Sequence, residues 1–138
     1  MGTKHFAACP TIISYLTVSD TKTSIALYQK AFGFKWLNED EVAADGTLDH
    51  VEMQYKDVFI MFAREGAFGS TKKTFTHLGV EAPNCIYLYC DDVDQIYTTA
   101  IDAGMQSLME PNDAHWGDRV CMVKDHDGYE WMFAKHIA

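Results

Sequence analysis

The sequence predicts an α+β fold made of two tandem βαβββ modules whose strands form a cupped, mixed β-sheet around a pocket. Three observations carry that prediction. The segment Ile13-Ser14-Tyr15-Leu16-Thr17-Val18-Ser19-Asp20 is echoed by Cys85-Ile86-Tyr87-Leu88-Tyr89-Cys90-Asp91-Asp92, with Tyr, Leu and Asp at matching places. Gly33 recurs as Gly104, and Met61-Phe62-Ala63 as Met132-Phe133-Ala134, at a nearly constant offset; self-similarity at a fixed period marks one supersecondary unit used twice. The 138 residues, 48% of them hydrophobic, suffice for one shared core but not for two independently stable domains.

Each module opens with a β-rich run, residues 12–18 and 85–90, bounded by polar turn formers. Ser19 or Asp20, and Asp91 or Asp92, are placed to accept hydrogen bonds from the orphaned amides of a helix start. Ile25, Tyr28, Ala31 and Phe32 then recur at helical spacing, as do Val93, Ile96, Tyr97, Ala100 and Ile101. Gly33 and Gly104 stand where each helix needs a left-handed cap. Strands follow near 34–40, 48–55 and 58–64 in one module, and near 105–109, 119–124 and 130–135 in the other. Tyr55-Lys56-Asp57 and Asp125-His126-Asp127-Gly128 supply the hairpin turns.

The expected organisation is a first module over 10–65, a linker over 66–83 rich in Gly, Ser, Thr and Lys, and a second module over 84–138, together one structural domain. A four-stranded sheet with one helix has a bare face, so the modules must pair, within a chain or swapped between two chains. That join predicts a cavity.

The net charge of −9 repels phosphate backbones and anionic lipid heads, so no nucleic acid or membrane partner is expected. The start lacks an apolar signal core, and no run is long enough to span a bilayer. Phe6 occupies the place where an N-myristoylation pattern at Gly2 needs Ser or Thr. Cys9, Cys85, Cys90 and Cys121 show neither CxxC nor zinc-like spacing, which reads as reduced, buried thiols in a cytoplasmic protein. Cys9 has only Lys4 and His5 as basic neighbours. Phosphate loops, Gly-x-Ser-x-Gly elbows and protease-like Cys and His pairs are absent.

The run Ser24-Ile25-Ala26-Leu27-Tyr28-Gln29-Lys30-Ala31-Phe32-Gly33-Phe34 and the ending Asp125-His126-Asp127-Gly128-Tyr129-Glu130-Trp131 resemble the vicinal oxygen chelate superfamily of glyoxalases, extradiol dioxygenases and bleomycin-resistance proteins. Ala114-His115-Trp116-Gly117-Asp118-Arg119 is similar to the loop of its PhnB-like or glyoxalase-like subgroup. The resemblance implies paired modules, a homodimer, and a small-molecule ligand held in the concavity.

It also implies a test for metal. Metal-dependent relatives place His, Glu or Gln on the first and last strand of each module, and those positions fall here at Ile13, Met61, Cys85 and Met132. A slip of one residue substitutes Ser14, Ile60 or Phe62, Ile86, and Trp131 or Phe133. Neither set suits a divalent ion, so no metal ligands and no cofactor are assigned, with a divalent metal elsewhere left open. Met61, Cys85 and Met132 read as packing rather than as a soft-metal site.

Tyr15, Tyr87 and Tyr89 alternate with helix-facing residues and share the concave face with Ile13, Met61, Cys85 and Met132, an aromatic and sulfur-rich lining suited to an aromatic or cationic ligand or to plain core closure. Trp36 and Phe59 join this set, and Glu130 is its charged member or a strand-end residue in solvent. Trp116 and Arg119 offer an aromatic wall and a cation at the pocket edge, although Asp118 is equally placed to neutralise the Arg. His50 and Glu52 share a strand face and are the candidates for catalysis, since a His and a carboxylate there could share a proton. Alternation with Val51, Met53 and Tyr55 favours instead a solvated or edge face for that pair. Two functions follow: a small-molecule binding protein without the usual metal, or a lyase, isomerase or dioxygenase that holds a metal elsewhere, for example around His50, Glu52 and His115. A third, a regulatory module that kept only the fold, binds neither.

Overall fold

The computed structural model describes residues 9–138; the readings on Gly2, Lys4, His5 and Phe6 lie outside the described residues. The chain forms two compact units. One runs to Gln29 and continues from Gly33 to Thr74; the other joins Lys30–Phe32 to Phe75–Ala138.

In the first unit β1 (Ser14–Val18) leads into α1 (Thr21–Phe32), then β2 (Lys35–Trp36), β3 (His50–Tyr55) and β4 (Val58–Arg64). The sheet order is β1-β4-β3-β2, with β1 parallel to β4 and the other pairs antiparallel. Asp20 caps α1 by accepting from the Thr23 amide at 2.9 Å. Gly33 closes it in the left-handed region at φ 77°, and the Phe34 amide returns to the Tyr28 carbonyl. Leu16, Val18, Val51, Met53, Ile60 and Phe62 form the buried side of the sheet with Ile25 and Tyr28. The Tyr28 and Phe62 rings meet edge-on at 5.8 Å.

The strand expected over 34–40 is only the two residues of β2, followed by a 3₁₀ turn at Glu39–Glu41. Asn38 explains the break. Its fully buried side chain accepts from the Trp36 indole and from the Glu52 amide, each at 2.9 Å, and donates to the His50 carbonyl at 2.8 Å. One amide side chain thus takes over the ladder bonds that further strand would have made.

In the second unit α2 (Phe75–Leu78) precedes β5 (Ile86–Tyr89), α3 (Val93–Asp102), β6 (Gln106–Asp113), β7 (Asp118–Lys124) and β8 (Glu130–His136). The order β5-β8-β7-β6 repeats that of the first sheet, so the fold is α+β with two mixed four-stranded sheets, neither of them closed. Asp92 caps α3, and Gly104 follows its last turn at φ 98°. Phe32 lies against Trp131 and Phe133 at ring distances of 5.1 and 4.6 Å. β6 runs past the expected 105–109 and shifts register between Met109 and Asn112. Pro111, which has no amide hydrogen, sits in that shift on an edge strand.

The Asp125-His126-Asp127-Gly128 turn is held by Asp125, whose carboxylate accepts from the Asp127 and Tyr129 amides and from the Trp131 indole. A Cβ on Gly128 would lie 2.8 Å from Cβ of Phe75. Thr76 bonds the carbonyls of Asp127 and His126. Part of the segment read as linker therefore packs under this hairpin. Cys90 and Cys121 are buried free thiols, and burial pushes the Cys121 thiol up to about 12, whereas Cys9 and Cys85 are exposed. Among the described residues no helix is long and apolar enough to cross a membrane.

Candidate functional site

A cavity of about 650 Å³ opens in the first unit, with Tyr15, His50, Glu52 and Met61 as its sheet wall. The register accounts for this grouping: Tyr15 pairs with Met61 and Met61 with Glu52 across β1-β4-β3, so their side chains leave the sheet on one side. The loop between Glu41 and Asp49 supplies further lining, anchored where the Thr21 hydroxyl donates to the Leu48 carbonyl at 2.7 Å. Phe68 forms a lip; its backbone is in the left-handed region at φ 56° and its side chain is largely exposed. A bulky residue held there without cover is a strained arrangement of the kind that clusters at ligand sites.

Three polar side chains run in line along the sheet wall. The Tyr15 hydroxyl lies 2.9 Å from His50 Nδ1, and His50 Nε2 lies 3.0 Å from Glu52 Oε2. Glu52 is 4% exposed and Tyr15 52%. Asn38 fixes the backbone at both ends of this pair by its bonds to the His50 carbonyl and the Glu52 amide. Burial, and then the charge of Glu52, raise the Tyr15 hydroxyl above its ordinary value. The solvated or edge face expected for His50 and Glu52 is not what forms: β3 lies inside the sheet and the pair faces the cavity. Alternation identifies residues that share a face but not what else borders that face, and here residues of the 41–49 loop do.

The second unit gathers a different cluster. Asp118, 3% exposed, accepts from the Tyr87 hydroxyl at 2.5 Å, the Tyr89 hydroxyl at 2.9 Å and His136 Nδ1 at 3.1 Å. The Tyr87 hydroxyl beside Asp118 holds its carboxyl below the usual range, with His136 and Tyr89 adding to the effect. The Trp116 indole donates to the Tyr87 oxygen at 3.0 Å. Burial and the Asp118 bond push Tyr87 up to about 12. Asp118 does not neutralise Arg119, whose partners are Asp94 at 2.7 and 2.8 Å and Asp113 at 2.9 Å.

The other sequence candidates are dispersed. Trp36 lines a separate groove along α1 with Ile25 and Phe34. Phe59 is paired with Gln54 across the β3-β4 hairpin. Met132 is buried beside Val120 and Ala134, and Glu130 pairs with Lys124 at the hairpin end. His115 belongs to an exposed turn of the second unit, where its ring meets Trp116. Asn38, the residue that positions His50 and Glu52, was missed; its signal was a lone amide between Trp36 and three successive acids.

The metal positions assigned as Ile13 and Cys85 need correction, because both precede their strands. The residues across from Met61 and Met132 are Tyr15 and Tyr87. Each unit then offers a phenol whose ionisation is disfavoured and a soft thioether, which do not fit a hard or borderline divalent ion. Both ring nitrogens of His50 are already engaged, and among the described residues no three His, Cys, Asp or Glu side chains converge.

Comparison with known proteins agrees with this architecture. TioX from Micromonospora sp. ML1 superposes with a TM-score of 0.72 at 22% identity, covering 94% of this chain and all of that one. The fosfomycin resistance protein FosX from Mesorhizobium loti gives a TM-score of 0.65 at 12% identity over 91% of each chain. These likenesses show the fold. The Glyoxalase/Bleomycin resistance protein/Dioxygenase superfamily matches residues 3–133, and the chain belongs to it. Rv0887c of Mycobacterium tuberculosis, an uncharacterised protein, is 29% identical over 130 residues, which cover 93% of this chain and 75% of that protein.

Proposed function

We propose that the protein binds a small cation with an aromatic or apolar body in the first unit's cavity, without the superfamily's usual metal. The observation that carries this reading is the lining. Glu41, Asp49 and Glu52 bring three carboxylates to a lining whose apolar and aromatic members are Tyr15, Ala43, Leu48, Met61 and Phe68, and none of the described lining residues is Lys or Arg. Arg64 pairs with Asp49 at 2.7 Å and His50 with Glu52 at 3.0 Å, and these groups together with the Glu41 carboxylate set the field at the lining. The overall charge of −9 supports a cationic or neutral ligand over nucleic acid or an anionic membrane surface. The Trp116-Gly117-Asp118-Arg119 loop supports the PhnB-like or glyoxalase-like subgroup, and with it a homodimer in the cytoplasm.

Calorimetric titration with phenethylamine and with phenylpropionate tests the reading. Binding of the amine alone supports it, and preference for the carboxylate overturns it. A second reading, glyoxalase-like lyase, isomerase or dioxygenase chemistry, draws on the pairing of His50 with Glu52 inside the cavity. Stoichiometric metal in protein purified without chelator, lost in the His50→Ala, Glu52→Ala double variant, would establish that alternative and sink the metal-free one.

A further inference from the structure

The hydrogen-bond line in the cavity has a direction. A carboxylate only accepts, so Glu52 Oε2, 3.0 Å from His50 Nε2, requires the ring hydrogen on that nitrogen. A ring with that single hydrogen has its lone pair on Nδ1, which makes the Tyr15 hydroxyl 2.9 Å away the donor. Tyr15 spends its single hydrogen inward, and the effect of burial on its phenol keeps that hydrogen in place. Only the lone pairs of its oxygen are left for the cavity. Glu41 and Asp49, also in the lining, are likewise acceptors. The Thr47 hydroxyl donates to the Asp45 carboxylate, so it too turns lone pairs toward other partners.

We infer that this acceptor-only wall selects a ligand bearing an N–H donor, a primary or secondary ammonium rather than a quaternary one, with Tyr15 as the specificity-determining contact. His50 and Glu52 act through Tyr15 and are positioning residues. The selection rests on the cation-binding reading above, because it specifies which cation the same cavity takes. A quaternary ammonium meets the same charges and the same apolar body but offers nothing to the Tyr15 oxygen, so its presence leaves that acceptor desolvated and unpaired.

Two measurements decide it. Two-bond proton–nitrogen correlation spectra of ¹⁵N-labelled protein near neutral pH, with the His50 signals assigned by their loss in His50→Gln, report the tautomer directly. Protonated Nε2 with unprotonated Nδ1 is expected; hydrogen on Nδ1 overturns the direction of the line. Titration then compares phenethylamine with its N,N,N-trimethyl analogue. The primary amine should bind about tenfold more tightly, the worth of one charge-assisted hydrogen bond. Tyr15→Phe, folded as judged by its melting temperature, should bring the two affinities together. Equal binding of both amines by the wild type, or an unchanged ratio in Tyr15→Phe, removes this selectivity and leaves the cation reading standing. If neither amine binds, the cation reading falls and takes the selectivity with it.

Discussion

The two units share one frame and solve its electrostatics differently. Where the first places Glu52 opposite Met61, the second places Met122 opposite Met132; where the first has His50 opposite Ala63, the second has Val120 opposite Ala134. In the second unit a buried carboxylate at the start of β7, Asp118, collects Tyr87, Tyr89 and His136. In the first unit a phenol and an imidazole lead outward from the carboxylate to a cavity. In the second, two phenols turn inward to the carboxylate and an indole bonds one of them. A duplicated fold therefore carries the site by the residues at two strand positions, and the twin at those positions is apolar.

The largest expected effect follows from how the first unit holds its pair. Asn38→Ala removes three hydrogen bonds and leaves the His50 carbonyl and the Glu52 amide without that partner. Unfolding by denaturant should show a loss of about 3 kcal/mol, since buried backbone groups stripped of partners cost more than the bonds alone. A loss under about 1 kcal/mol would mean that water replaces the side chain and that Asn38 is not what fixes the pair.

Glycine substitutions set the two frames against each other. Gly33→Ala puts a Cβ into open space at φ 77°, so only backbone strain of about 1 kcal/mol is expected. Gly128→Ala adds to similar strain a contact of 2.8 Å with Cβ of Phe75 and one of 3.2 Å with the Thr76 nitrogen, and should cost about 2 kcal/mol or more. Equal losses would show that α2 yields freely and is no part of the second unit's packing.

What the sequence could disclose tracks how local each cause is. The repeated Tyr-Leu motif, the caps and the Asp-x-Asp-Gly turn act through neighbours a few residues apart, so element order was legible. Tyr15 and Met61 were legible as one face because strand periodicity assigns faces. Asn38 was not, since its partners lie 12 and 14 residues onward across a loop. Arg119 misled for a related reason: adjacent residues in a strand point to opposite faces, so Asp118 could not be its partner, and Asp94 on α3 is. The cavity wall from the 41–49 loop has no periodic pattern to betray it.

The second unit's cluster can be separated from the first by acid. The partners of Asp118 lower its carboxyl, so the stability it contributes is present above the ordinary carboxylate value of about 4 and is lost as pH falls through the lower folded value. Asp118→Asn lacks that titration. Its melting temperature should lie below the wild type's near pH 7, and the gap should narrow on acidification below about pH 4. A gap that stays constant would mean that the carboxyl titrates alike in the folded and unfolded chain.

The smallest effect on stability should fall at the cavity's lip. Phe68 holds a left-handed backbone at φ 56° and is 74% exposed, so the free protein gains little from it. Phe68→Gly removes the steric reason for strain while loosening the unfolded chain, two opposing terms of under about 1 kcal/mol each, and the melting temperature should barely move. Binding is where the ring should count. A cation or aromatic body in the cavity gains its face, and an exposed contact of that kind is worth about threefold in affinity. Loss of stability without loss of phenethylamine affinity would assign Phe68 to the fold and leave the first unit's cavity with Tyr15 as its aromatic wall.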